Sequence, residues 1–137
     1  MRSFVVEPMQ YGKLFLAGDA AHILPPTGAK GMNLAITDIS VLARAFNEVY
    51  SSGQTGPLDA YSETCLGRVW NAQRFSWWTT FMLHRFEADD PLQYRLQLAE
   101  LDYVTGSRTA ATSLGEKLGA CPWSRPPTSP WPRDERR

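Results

Sequence analysis

The sequence predicts an α/β fragment, one or two short strands followed by mostly α-helices. Three observations carry this expectation. Leu14-Phe15-Leu16-Ala17 is a continuous apolar run bracketed by Gly12 and Gly18, the pattern of a strand buried on both faces as in a parallel sheet. From Met32 onward apolar residues recur at three- and four-residue spacing, the helical period. Only Phe4-Val5-Val6 offers a second β-like run, and two strands do not make a stable sheet, so further strands are expected outside these 137 residues.

The elements follow in order. Phe4–Val6 is closed by Glu7-Pro8, and Tyr11-Gly12 reads as a turn before the apolar strand. The stretch from Ala20 to Gly31 reads mostly as loop, because Pro25 and Pro26 remove donors and fix φ. A first helix is expected from Gly31 to about Tyr50, with Met32, Ala35, Ile36, Ile39, Leu42, Ala43, Phe46 and Val49 as its apolar stripe, ending at Ser51-Ser52-Gly53. Pro57 suits the first position of a second helix reaching about Arg85. Its stripe is Leu58, Tyr61, Cys65, Val69, Ala72, Ser76, Trp77, Thr80 and Phe81.

Asp90-Pro91-x-Gln93 combines an Asp cap, Pro at the first helical position and Gln three residues after the cap. The third helix it opens carries Leu92, Leu96 and Tyr103 toward Gly106, and Ser107 caps a fourth through about Leu118. Residues 1–119 therefore read as one unit. The Pro-, Trp- and Arg-rich stretch 120–137 is expected to be disordered.

Composition excludes several classes. Apolar residues make up 43% and charged residues 20%, ordinary for a globular domain, and the formal net charge of zero gives no electrostatic reason for a nucleic-acid or membrane-surface partner. No apolar run approaches a membrane span and no signal-peptide pattern opens the chain. Cys65 and Cys121 make neither a disulfide framework nor a metal cluster, so no metal is expected and a cytoplasmic location is.

Chemistry concentrates between Gly18 and Asn33. Gly18-Asp19 puts a carboxylate at the end of a strand, where ligands of open α/β sheets collect. A carboxylate there can accept hydrogen bonds from a sugar-like diol such as a ribityl chain. Pro25-Pro26-Thr27-Gly28-Ala29-Lys30-Gly31-Met32-Asn33 then leads into a helix, whose first N–H groups have no internal partner and whose dipole favours an anion. The backbone N–H groups of Met32 and Asn33 suit the negative edge of a reduced flavin. Lys30 adds a cation, and Gly28 and Gly31 let backbone lie close to a flat ring. A Gly-Asp pair alone is more often a turn. The whole string, from strand through GDAAH and the double-proline loop to the amphipathic helix, is hard to explain as packing. His22 and His84 read as structural, and the Trp77-Trp78 pair as core or subunit contact.

These strings resemble the 4-hydroxybenzoate 3-monooxygenase family of class A FAD-dependent aromatic hydroxylases, over the C-terminal third of its members and about three quarters of this chain. GDAAH is similar to the second FAD motif of the class, while PPTGAKGMN and RFSWWTTFMLHRF resemble narrower strings of this family. The resemblance implies an FAD/NAD(P)-binding, Rossmann-like hydroxylase fold, FAD as cofactor and NADPH as reductant. It also implies hydroxylation of a small aromatic substrate, 4-hydroxybenzoate, to 3,4-dihydroxybenzoate with O2, in a homodimer.

Residue by residue, the resemblance assigns Asp19 to the FAD ribityl chain and the backbone of Met32 and Asn33 to the flavin pyrimidine edge. Pro26 offers a carbonyl to the substrate phenol, Lys30 positive potential beside the flavin, and Arg2 a contact to NADPH. The family's N-terminal GxGxxG unit has no counterpart here, Leu118 stands where the family has a proton-relaying tyrosine, and past Gly119 the tail reads like a different frame. The isolated chain is therefore expected to be inactive. The alternative is a non-catalytic truncated remnant whose helices serve packing or dimer contact.

Overall fold

The computed structural model describes residues 2–85 and 90–119. The disorder expected for the tail falls on residues outside those described. Among the described residues the chain runs as β1 (Phe4–Val5), β2 (Gln10–Tyr11), β3 (Leu14–Phe15), β4 (His22–Ile23), α1 (Gly31–Ser52), α2 (Gly56–Asp59), α3 (Tyr61–Leu83), α4 (Pro91–Gly106) and α5 (Arg108–Gly119). Two 3₁₀ turns, Gly18–Ala20 and Pro26–Gly28, interrupt the stretch read as loop. The architecture is mostly helical with a few short strands, as expected.

The strands differ from the parallel reading. β2 and β3 form an antiparallel hairpin with Tyr11 opposite Leu14, closed by Gly12 and Lys13. Gly12 takes φ +57°, which fits the twist of a two-residue connection. Strand alternation then turns Phe15 toward the core and leaves Leu14 59% exposed, so this run is not covered on both faces. The other pair is β1 with β4, also antiparallel, matching Phe4 with Ile23 and Val5 with His22. His22 and Ile23 therefore belong to a ribbon, extended by Val6 N–H donating to the Ala21 carbonyl at 2.8 Å.

Met9, Ala21, Leu42, Tyr61, Cys65 and Val69 form the core, with Phe15, Leu16 and Phe46 packed against it. Phe15 meets Phe46 and Tyr61 edge-on, with centroids 5.5 and 5.8 Å apart. The Tyr61 hydroxyl donates to the Leu16 carbonyl at 2.7 Å, and Met9 N–H donates to Ser62 Oγ at 2.9 Å. Trp70 with Glu7, and Gln73 with Ser3, tie α3 to the first ribbon.

Helix boundaries follow their signals, but the buried faces are rotated from the apolar stripes. α1 buries Leu34, Thr37, Asp38, Leu42 and Ala45, and leaves Met32, Ile36 and Ile39 exposed. The rotation follows from Asp38, whose carboxylate serves the interior. α1 ends at Gly53 with φ +73°, a left-handed cap. The second predicted helix is divided at Ala60 into α2 and α3. α3 buries Phe75, Ser76, Thr79 and Thr80, whereas Trp77, expected in the packed stripe, is 54% exposed. α4 exposes Leu92, Leu96 and Tyr103 and buries Val104. The caps are those read from the sequence: Asp90 Oδ1 accepts from Gln93 N–H at 2.8 Å, and Ser107 Oγ from Ala110 N–H at 3.3 Å.

Candidate functional site

The site begins where the β2–β3 hairpin returns to the core. Gly18 adopts φ +60°, and a Cβ there would lie 3.2 Å from the Ala35 Cβ, so glycine lets the turn rest directly on α1. Its N–H donates to Asp38 Oδ2 at 3.0 Å. The same oxygen lies 2.7 Å from His22 Nε2, with Asp38 and His22 both 1% exposed. One buried carboxylate thus fixes both ends of the Gly18–His22 segment, and Ala21 N–H closes the turn on the Gly18 carbonyl at 2.9 Å. Asp19, between these anchors, is exposed at the turn's surface. The structure therefore holds one carboxylate inside as a fastener and presents the next one outward.

Asp38 sits over Tyr61 and Cys65. Burial, reinforced by the negative charge of Asp38, pushes the Cys65 thiol up to about 12. Burial and then Cys65 and Asp38 push the Tyr61 phenol above its usual range. Both groups are protonated at neutral pH, so this region carries neutral donors around a carboxylate. Cys65 behaves as a small buried hydrophobe, as its place in the stripe predicts.

The second part is the Pro26–Gly28 turn. Pro26 stands at the first position, where its missing N–H costs nothing, and its carbonyl accepts from Ala29 N–H at 2.9 Å. A carbonyl has two lone pairs, so it can accept from a further donor. Ala29 closes the turn at φ +49°, a left-handed conformation that a non-glycine residue adopts at a cost of about 1 kcal/mol. Gly28 is buried against α3, where a Cβ would stand 2.3 Å from Ser76 Oγ. Gly31, by contrast, opens onto free space.

The chain then enters α1. Its first intrahelical bond is Leu34 N–H to the Lys30 carbonyl at 3.0 Å, so the N–H groups of Gly31, Met32 and Asn33 precede the ladder. Lys30, the cap residue, supplies no side-chain acceptor to them. Their open donors and the helix dipole suit an anionic edge. The Lys30 ammonium donates to the Leu118 carbonyl at 2.8 Å, near the end of α5. Residue 118 is thereby brought beside the loop from across the chain. The Arg2 guanidinium lies over the Phe4 ring at the start of β1, 5.5 Å from its centroid.

The structure thus seats the Gly18–Ala20 turn on the first turns of α1, which begin at Gly31, with Lys30 and the Pro26–Gly28 turn adjoining through the chain. A flat, anionic, ribityl-bearing cofactor fits this set by its chemistry: an exposed carboxylate, uncapped helix donors, and glycine where backbones approach. Sequence reasoning missed Asp38, His22's partner, and the Ser76–Thr80 face of α3. The signal for Asp38 was an acidic residue one position off an apolar helical stripe. Ser76 and Thr80 lay on the second helix's stripe but were read as packing. Among the described residues no cluster of His, Cys, Asp or Glu could hold a metal, and no helix is long and apolar enough to cross a membrane.

Several known proteins are similar to this chain. The p-hydroxybenzoate hydroxylase of Acinetobacter baylyi is 54% identical over 123 residues, which is 90% of this chain and 30% of that protein. The rifampicin monooxygenase of Streptomyces venezuelae is 46% identical over 56 residues, 40% of this chain and 12% of its own length. The tetracenomycin B2 monooxygenase-dioxygenase of Streptomyces olivaceus is 33% identical over 97 residues, 70% of this chain and 18% of its own. The chain spans at most 30% of the length of these relatives. The FAD binding domain family matches residues 1–76, the ribbons, the Asp38-anchored turn, the proline loop, α1 and most of α3. With this family matching more than half of the chain, the chain belongs to the FAD binding domain family, and its cofactor is FAD.

Proposed function

We propose that this chain is the flavin-side part of an FAD-dependent monooxygenase that hydroxylates a small phenolic acid, converting 4-hydroxybenzoate to 3,4-dihydroxybenzoate with NADPH and O2. The observation that carries the reading is the seating of the Gly18–Asp19 turn on α1, beside that helix's uncapped N-terminus. The name and 54% identity of the Acinetobacter relative support the substrate class. In this reading Asp19 binds the ribityl hydroxyls, and the N–H groups of Met32 and Asn33 stabilise negative charge on the pyrimidine edge. Gly18 and Gly28 let backbone lie close on α1 and α3, and the open space at Gly31 admits a flat ring. The Pro26 carbonyl orients the substrate phenol, Lys30 raises the local positive potential, and Arg2 meets NADPH. FAD, when bound, supplies the redox chemistry and oxygen activation; the protein residues bind, orient and hold charge. The wider Rossmann-like fold and the homodimer belong to this same proposal.

A second reading, packing or dimer contact without catalysis, is favoured by one observation. Trp77 and Phe81, with centroids 4.4 Å apart, border a groove of about 260 Å³ with Leu96 of α4, and all three are exposed. Titration of FAD into the purified protein, followed by quenching of flavin fluorescence, separates the readings. Saturable binding that weakens about tenfold or more in Asp19→Ala is expected. Unchanged FAD retention in that variant refutes the role given to Asp19. A folded protein that binds no FAD leaves the contact reading.

A further inference from the structure

We propose that the buried polar face of α3, Ser76 and Thr80, is a ledge that sets the height of the Pro26–Gly28 turn, making both residues positioning residues for the cofactor loop. The cofactor part of this inference rests on the function proposed above; the ledge itself does not.

Along the second half of this helix Ser76, Thr79 and Thr80 are buried beside Phe75, while the larger Trp77 and Phe81 are left out. Ser76, Thr79 and Thr80 are 0%, 5% and 4% exposed, against 54% for Trp77 and 45% for Phe81. The reason lies in what covers them. Gly28 comes so close that a Cβ would stand 2.3 Å from Ser76 Oγ, 3.2 Å from Ser76 Cβ and 3.4 Å from Phe75 Cδ1. The hydroxyls of Thr80 and Thr27 are hydrogen-bonded at 2.8 Å, one residue before Gly28 on the loop and one helical turn after Ser76 on α3. Thr80 Oγ1 also lies 2.7 Å from the Ser76 carbonyl, so the bond to the turn is locked into the helix backbone. Ser76 Oγ is buried, has no hydrogen-bond partner among the described residues, and lies where a Gly28 Cβ would point. Its contribution at this point is its size. A larger residue would lift the turn and a smaller one would let it sink.

The height of the turn matters because little chain separates it from the donors. Gly28 is followed by Ala29 in its left-handed conformation, then Lys30, then the open N–H groups of α1. Displacement of the turn passes to those groups and to the Pro26 carbonyl together. A misplacement of about 1 Å at a binding constellation can cost on the order of a hundredfold in rate. Gly28 does not itself need glycine's conformational freedom, since its φ is not in the left-handed region. Its substitution therefore probes contact alone.

The test is a paired set of variants, read by amide hydrogen exchange across residues 26–33 and by FAD titration. Gly28→Ala is expected to raise exchange at Gly31–Asn33 and to weaken FAD binding about tenfold or more. Adding Ser76→Gly removes both Ser76 atoms from the clash, leaving only the ordinary 3.4 Å contact to Phe75. The double variant should regain most of the protection and affinity. It should do so although it is thermally less stable, because glycine weakens a helix interior. A rescue that runs against the melting temperature distinguishes positioning from general stability. Thr80→Ser should behave as wild type and Thr80→Val should not, since the two differ in the hydroxyl that meets Thr27. Wild-type exchange in Gly28→Ala, or a defect that Ser76→Gly does not relieve, overturns the ledge. Should the wild-type protein bind no FAD, the functional reading fails while the exchange data still decide the ledge.

Discussion

Between Phe4 and Gly28 no regular element exceeds three residues, yet Met9, Gly18, Ala21, His22, Pro25 and Gly28 are buried. Between Pro91 and Gly119 nearly every residue is helical, yet Val104 is the buried residue there. Backbone regularity and fixed position are thus supplied separately in this molecule. The first region is held by bonds that span the sequence: Asp38 to Gly18 and His22, Tyr61 to Leu16, Ser62 to Met9, Thr80 to Thr27. The second is held to α3 by a few polar contacts. Gln97 donates to the carbonyls of Phe81 and His84 at 2.9 and 3.0 Å, and Trp78 Nε1 donates to Glu100 at 3.0 Å. A loop with the cofactor role proposed above must place individual atoms, and local helical bonding cannot do that for a segment with turns at Gly12, Gly18 and Ala29.

Removing the fastener should break this contrast most severely. Asp38→Ala leaves the Gly18 N–H and the His22 ring buried without their acceptor, at a cost of about 3 kcal/mol of folding stability. Denaturant unfolding should register that loss, and FAD binding should fall with it. Asp38→Asn, which keeps one acceptor oxygen, should lie between. A variant with unchanged unfolding midpoint would mean that the pair does not hold the region.

The core beneath Asp38 sharpens the contrast through pH. The Cys65 thiol rises from 9.0 to about 12 on folding, chiefly through burial. A raised folded value means that the native state holds this proton more tightly than the unfolded chain. The associated stability is complete below about pH 9 and is lost as pH climbs toward about 12. Tyr61 shifts in the same direction and adds to the loss. Thermal melts from pH 8 upward should fall steeply in that window, and less steeply in Cys65→Ala. Equal slopes in the two proteins would remove Cys65 from the account.

Much of the first region was legible as strings and little of it as contacts. Gly18-Asp19, the double proline and the glycines around Lys30 mark places where backbone chemistry is unusual, and such residues are read locally. The hairpin was misread because Leu14–Ala17 looks alike whether buried on two faces or on one, and only the pairing with Gln10–Tyr11 decides. Asp38 was invisible for a related reason. A stripe drawn through Met32, Ile36 and Ile39 treats apolar residues as inward, whereas α1 turns that row outward to bring Thr37 and Asp38 to the interior. Ser76 and Thr80 stood on the predicted stripe of α3, but their meaning depends on Gly28, which lies far away in sequence. The caps of α4 and α5 were readable because a cap is satisfied within three residues.

The smallest effect belongs to one of those caps. Asp90→Ala removes the acceptor for Gln93 N–H, worth about 1 kcal/mol to the helix it starts. Leu92, Leu96 and Tyr103 are exposed and Val104 is the buried residue of α4, so this helix has little core through which to transmit the loss. Faster amide exchange across the first turns of α4 is expected, with the protection of α1 and α3 unchanged and FAD affinity intact. Gln97 and Glu100 are the routes by which fraying could spread, since they reach α3 at its last turn and at Trp78. If exchange in α3 rises in step with α4, those contacts couple the two regions, and the helices after Asp90 support the cofactor loop through the Ser76–Thr80 face. If it does not, α4 rests on the outer side of α3 and the cofactor loop is fixed by α1 and the inner face of α3 alone.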